Sequence, residues 1–144
     1  MLLHESINEY CLKFKLPGIL EHYQHLSDIA SKEKISYSEY LHKLLEFENI
    51  GREQRSKEML LKIAGLPKIK TIDSFDYKSS SVDKTLINEL LTLRFIDEFK
   101  NILLFGPSGV GKTHLASAIA YAATQKRIKT KFISASDLII QLES

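Results

Sequence analysis

Residues 101–116, NILLFGPSGVGKTHLA, decide how the rest of this chain is read. Four apolar residues, Ile102–Phe105, lead into a turn with glycine at 106, 109 and 111, and Lys112 and Thr113 follow. An apolar run this short suits a strand buried on both faces. The glycines suit a backbone that must approach a polyanion closely, because a Cβ would obstruct the N–H groups that surround phosphate oxygens. The alanine-rich run LASAIAYAA then predicts a helix from about Lys112 to Gln125. Its N-terminal dipole and unpaired N–H groups would face the same anion.

Gly106-x-x-x-x-Gly111-Lys112-Thr113 matches the phosphate-binding loop in full. The candidate cofactor-binding residues are Gly106, Pro107, Ser108, Gly109, Val110, Gly111, Lys112, Thr113 and His114. Lys112 is expected to reach the β- and γ-phosphates as a point charge. Thr113 is the candidate metal ligand, its hydroxyl expected on Mg²⁺ beside phosphate oxygens. His114 lies next to them on the first helical turn, where a solvated position is the alternative. Hydrolysis would need an acid at the tip of a neighbouring strand and a group that orients water. Asp97 and Glu98 follow only two apolar residues and read as a helix end; Asp137 reads as a first-turn helix residue. No catalytic residue is therefore assigned.

Outward from the loop, TKFISA (130–135) predicts a second strand, and Ser136 an N-cap for a last helix over DLIIQLE. Upstream, VDKTLINELLTLRFIDEF predicts a helix with Val82, Leu86, Leu90 and Leu93 along one side. KIKTIDSFDYKSSS (68–81) reads as a linker carrying a few apolar anchors. Residues 71–144 thus predict β-loop-α-β-α, the opening of a parallel sheet.

Residues 1–70 read as helices instead. Leu3, Ile7, Tyr10 and Phe14 are spaced for one helical face, and Leu16-Pro17-Gly18 breaks that helix. Ile19, Tyr23, Leu26 and Ala30 mark a second helix. Ser36 and Glu39 have capping-box spacing for a longer third, with Tyr37, Leu41, Leu44 and Ile50 as its apolar face. Its middle, ENIGREQRSKE, reads as solvated or turned towards a partner, and Gly65-Leu66-Pro67 ends it. The expected fold class is α/β: a small N-terminal helical module (1–70) ahead of the truncated start of a P-loop parallel-sheet domain (71–144).

Composition excludes several function classes. Net charge is +2, and residues 1–70 carry 11 basic and 10 acidic side chains, the remainder 9 and 8, so overall charge does not argue for nucleic acid. LysArgIleLysThrLys at 126–131 concentrates four cations at a helix C-terminus, where the dipole accounts for them and DNA phosphate is the alternative. One cysteine, Cys11, cannot form an internal disulfide and reads as a small core or boundary residue, with a reactive thiol as the alternative. No apolar run reaches the length of a signal peptide or a membrane span, so a cytoplasmic chain with no membrane partner is expected. His4, His22, His25 and His42 show no metal-ligand spacing.

Together these stretches resemble the IstB family of transposition helper ATPases, relatives of the DnaC helicase loader. The similarity runs from LKFKLPG through SYSEYLHKLLEFE and GLPKIKTIDSFDY to the loop-bearing LINELLTLRFIDEFKNILLFGPSGVGKTHLASAIA and KFISASDLIIQL. The loop alone is generic; a helical module, then PheAspTyr, then this loop is far more specific. The resemblance implies an AAA+ domain with ATP and Mg²⁺ as ligands, assembly on DNA, and an N-terminal module that contacts a transposase or a replicative helicase. It makes Phe75, Asp76 and Tyr77 candidates for the base pocket. It also implies that the second acid, the sensor residues, the arginine finger and the lid lie beyond residue 144, so ATP hydrolysis and homo-oligomer formation are expected only of a longer chain. A DnaC-like loader and a purely interacting module are the alternatives.

Overall fold

A computed structural model describes residues 2–144. The chain divides into two compact units, one ending at Ser56 and the other spanning Lys57–Ser144. Among the described residues there are seven α-helices: α1 (Leu3–Lys13), α2 (Pro17–Glu33), α3 (Tyr37–Ala64), α4 (Lys84–Leu91), α5 (Arg94–Asp97), α6 (Lys112–Gln125) and α7 (Ala135–Glu143), with a 3₁₀ turn at Ile72–Ser74.

In the first unit, Pro17 opens α2 at its first turn, where its missing N–H is no loss. Ser36 starts α3, its Oγ accepting from the Glu39 N–H at 3.2 Å. Tyr23, Leu26 and Leu44 form the core, with Ile7, Ile19, Leu20 and Tyr40 against it. The α1 face differs from the expected stripe. Leu3, Tyr10 and Phe14 are exposed, and the buried residue is Cys11, one turn on from Ile7. Tyr10 and Phe14 instead stack on each other outside, rings 6.0 Å apart. Tyr37, Leu41 and Ile50 of α3 are likewise exposed.

The solvated reading of the α3 midsection also fails at Glu48, which is 4% exposed. Its carboxylate accepts from the Gly18 N–H (2.7 Å) and Ile19 N–H (3.3 Å) at the start of α2, and from Arg52 Nε (2.8 Å). Glu48 thus caps a neighbouring helix, where donors and dipole both favour an anion. Burial alone would raise its carboxyl, but the Arg52 hydrogen bond with the two amides outweighs that and holds it below the usual range. Gly18 lets the helices meet: a Cβ there would stand 2.8 Å from Glu48 Cα. Cys11 is pushed up, first by burial and then by the nearby Glu48 charge, so it packs as a thiol.

The second unit overturns the expected α/β class. Among the described residues there is no strand and no sheet; the fold is all helical. A strand exists only through the ladder a partner supplies, and apolarity records a demand for burial without naming that partner. Residues 101–105 have no backbone hydrogen bond to another segment among the described residues, and Leu103 and Phe105 stand 75% and 86% exposed. Residues 130–134 make one such bond, from the Phe132 N–H to the Ala64 carbonyl at 2.8 Å.

The core here is Phe75, Ile87, Leu93, Leu115, Ile119 and Ala123. The long helix expected over 82–99 is broken. Asp83 caps α4, its carboxylate accepting from the Thr85 N–H (3.0 Å), and Leu93 adopts a left-handed φ of 65° before α5 begins. Ile87, not Leu86, is the buried residue of α4. Ser134, two residues before the expected Ser136, caps α7 by accepting from the Asp137 N–H at 3.1 Å.

Candidate nucleotide-binding site

The α6 helix forms because alanine dominates its sequence and one face, Leu115, Ala118, Ile119 and Ala123, is buried. It is anchored at its far end by Lys126, whose Nζ donates to the Thr92 carbonyl at the end of α4 (2.9 Å), so this member of the basic run serves packing. At the near end Gly111 is the N-cap, with φ 96° and no side-chain cap. The first N–H groups of α6 therefore face the loop.

Residues 106–111 wrap around that helix end. Gly106, Gly109 and Gly111 have φ of 154°, 83° and 96°, a region that side chains rarely adopt. A Cβ on Gly109 would meet nothing within 4 Å, so that face of the loop is open. Pro107, Ser108 and Gly109 are exposed and Val110 is half-buried. Lys112 curls back over the turn, its Nζ donating to the carbonyls of Gly106 (2.7 Å) and Pro107. Thr113 is exposed on the first turn of α6. The sequence-predicted residues from Gly106 to Thr113 are thus brought together around one helix terminus. Glycine cradle, amide donors and ammonium form a donor set suited to a polyphosphate, and the Thr113 hydroxyl is a hard oxygen suited to Mg²⁺.

His114 points elsewhere. Its Nε2 lies 3.0 Å from the Thr71 carbonyl and 3.3 Å from Ser74 Oγ. A carbonyl only accepts, so Nε2 carries the proton and donates. The ring also meets Phe75 edge-on, centroids 5.3 Å apart. Phe75 is buried, with Tyr77 edge-on against it at 5.1 Å, and its ring lies where a Gly111 Cβ would be, 2.9 Å from Cε2. Of the three base-pocket candidates, Phe75 thus supports the loop from beneath. Asp76 is exposed and turned to its own linker, accepting from Ser79 Oγ and the Lys78 N–H, which hold its carboxyl below the usual range in that order. The sequence marked Phe75 only as one of several apolar anchors in a polar linker and, through the resemblance, as a base-pocket candidate.

Beside the loop is a cavity of about 630 Å³. Phe75, Val82, Leu86, Leu90 and Leu115 supply apolar walls, and Gly106, Gly111 and Lys112 line its edge. Its size falls within the roughly 300–1,000 Å³ of small-molecule pockets. The lining holds no carboxylate. Asp97 and Glu98 lie at the end of α5, exposed, with Glu98 paired to Lys100 at 2.6 Å. Among the described residues no three His, Cys, Asp or Glu side chains are grouped to hold a metal, and no helix is long and apolar enough to cross a membrane.

Comparison with known proteins identifies the family. The sequence profile of the IstB-like ATP binding protein family matches residues 10–144. The chain is 48% identical over 141 residues to the ATP-binding protein of insertion sequence IS5376 of Geobacillus stearothermophilus, covering 97% of this chain and 56% of that protein. It is 38% identical to the counterpart in IS232 of Bacillus thuringiensis subsp. berliner, covering 90% and 52%. Identity to the IS21 counterpart of Pseudomonas aeruginosa is 36%, covering 90% and 49%. The chain therefore spans about half the length of these curated relatives.

Proposed function

The chain belongs to the IstB-like ATP-binding protein family of insertion sequences, and from that premise we propose that residues 106–113 bind ATP with Mg²⁺ in support of a transposase acting on target DNA. The observation that carries the reading is the loop itself: three positive-φ glycines wrapped on an uncapped helix N-terminus, with the Lys112 ammonium already drawn over them. The amides of the loop and of the first turn of α6 hold phosphate oxygens. Lys112 transfers its ammonium from the Gly106 and Pro107 carbonyls to the phosphates. Thr113 holds the metal ion, which neutralises phosphate charge. The role assigned to these residues is binding.

Titration of a fluorescently labelled adenine nucleotide with Mg²⁺ into the full chain tests this. Saturable uptake is expected, with Lys112→Ala weakening it at least about tenfold, the effect of losing a hydrogen bond to a charged group. No uptake, or equal uptake by the variant, refutes the assignment.

Partner binding falls to the first unit. Tyr10 and Phe14 on α1, and Tyr37, Leu41 and Leu45 on α3, expose apolar surface that the core does not use. The transposase of the same element is expected to co-purify with the chain and to be lost on Leu41→Asp/Leu45→Asp with the helical circular dichroism unchanged. Retention of the transposase by that variant rules out this face.

A further inference from the structure

We propose that His114 is a positioning residue that ties the linker to the phosphate-binding loop, so that nucleotide in the loop orders the 71–75 segment and that segment in turn shapes the loop. The inference rests on the nucleotide-binding reading of residues 106–113. Two contacts carry it. Phe75 forms the floor under Gly111, close enough that a Cβ at 111 would stand 2.9 Å from the ring. Gly111 is the residue where loop becomes helix, so the height of that floor sets where the first α6 amides stand.

Phe75 takes its place from the single turn before it, in which the Ser74 and Phe75 N–H groups donate to Thr71 and Ile72. Among the described residues, the side-chain hydrogen bonds that join this turn to α6 come from His114, to Thr71 O and Ser74 Oγ. Ser74 Oγ in turn donates to the same Thr71 carbonyl (3.0 Å), closing a three-membered polar ring. Nε2 of His114 thus reaches the turn, the imidazole and Phe75 rings meet edge to face with centroids 5.3 Å apart, and Phe75 meets Gly111. A ligand that fixes Gly111 must favour the linker conformation in which Phe75 is seated, and linkage makes that preference reciprocal.

Hydrogen exchange at the Ser74 and Phe75 amides, followed with and without labelled adenine nucleotide and Mg²⁺, reads the coupling directly. In the unaltered chain nucleotide is expected to slow exchange at both amides. His114→Ala is expected to abolish that slowing and to weaken nucleotide binding about fivefold, the equilibrium equivalent of one hydrogen bond. His114→Gln places an amide N–H near the position of Nε2 and is expected to restore both. Binding by the unaltered chain with no change at 74 and 75, or His114→Ala indistinguishable from it, overturns the proposal while leaving the nucleotide site standing. Failure of His114→Gln to improve on His114→Ala also overturns it. If the unaltered chain takes up no nucleotide, the binding reading itself has failed.

Discussion

Gly111→Ala isolates the contact between loop and linker from the conformational demand of the loop. At φ 96° an L-residue carries strain of about 1–2 kcal/mol. The added methyl would also lie 2.9 Å from Phe75 Cε2, well inside the roughly 3.5–4.0 Å at which carbons rest against each other. Phe75 is 7% exposed and packed with Ile87 and Leu115, so its ring can yield only towards the cavity it walls, giving up part of that packing. Overpacking of that kind adds about 1–3 kcal/mol. Gly109→Ala is the matched control: its φ of 83° imposes similar strain, but nothing lies within 4 Å of the new methyl. Urea unfolding followed by helical circular dichroism should therefore find Gly111→Ala less stable than Gly109→Ala by about 1–3 kcal/mol. Equal losses would show that Phe75 does not wall off Gly111, and the account of the loop floor would fall with it.

In the first unit, Gly18→Ala would drive a methyl to 2.8 Å from Glu48 Cα and 2.9 Å from the Phe47 carbonyl, both backbone, so α2 and α3 must part. A loss of at least about 2 kcal/mol in the same unfolding assay is expected. Folding holds the Glu48 carboxyl below its usual range, so its contribution is complete above the ordinary glutamate value of about 4.3 and lost as pH falls through the folded value. Melting temperature should drop on acidification below about pH 4, less steeply in Glu48→Gln, which at neutral pH should lose about 1–3 kcal/mol through its weakened bonds to Gly18 and Arg52. An unchanged acid slope in that variant would assign the acid sensitivity to other carboxylates.

Local chemistry was the legible part of this sequence. Pro17, Ser36 and the glycine loop act within a few residues of themselves, and α6 runs over the residues its composition indicated. Partnerships across the chain were not legible. The apolar spacing on α1 marked Leu3, Ile7, Tyr10 and Phe14; Ile7 meets the core and Cys11, read as a small core or boundary residue, is buried, but the other three are exposed, because neighbouring helical faces of similar apolarity are separated only by what packs on them. Glu48 read as solvent-facing because its partners, the Gly18 and Ile19 amides, lie about thirty residues earlier in the chain. The sheet failed for the same reason at larger scale: Leu103 and Phe105 are apolar enough for a buried strand, but a ladder requires neighbours that local pattern does not specify. At the candidate site the loop residues were legible and the linker beneath them was not, since a lone phenylalanine does not announce which glycine it will support.

The ammonium of Lys112 rests on two neutral carbonyls of its own turn. Under the proposed binding role, an incoming polyanion would meet a cation already partly solvated by protein, and recognition would exchange those carbonyls for phosphate oxygens around the ammonium. Carbonyl dipoles are nearly indifferent to added electrolyte, whereas the phosphate side of the swap is screened over a Debye length of about 8 Å at physiological ionic strength. If residues 106–113 bind polyphosphate as proposed, the swap tilts back towards the self-bonded loop as salt rises, and ionic strength would grade how readily the loop releases that ligand.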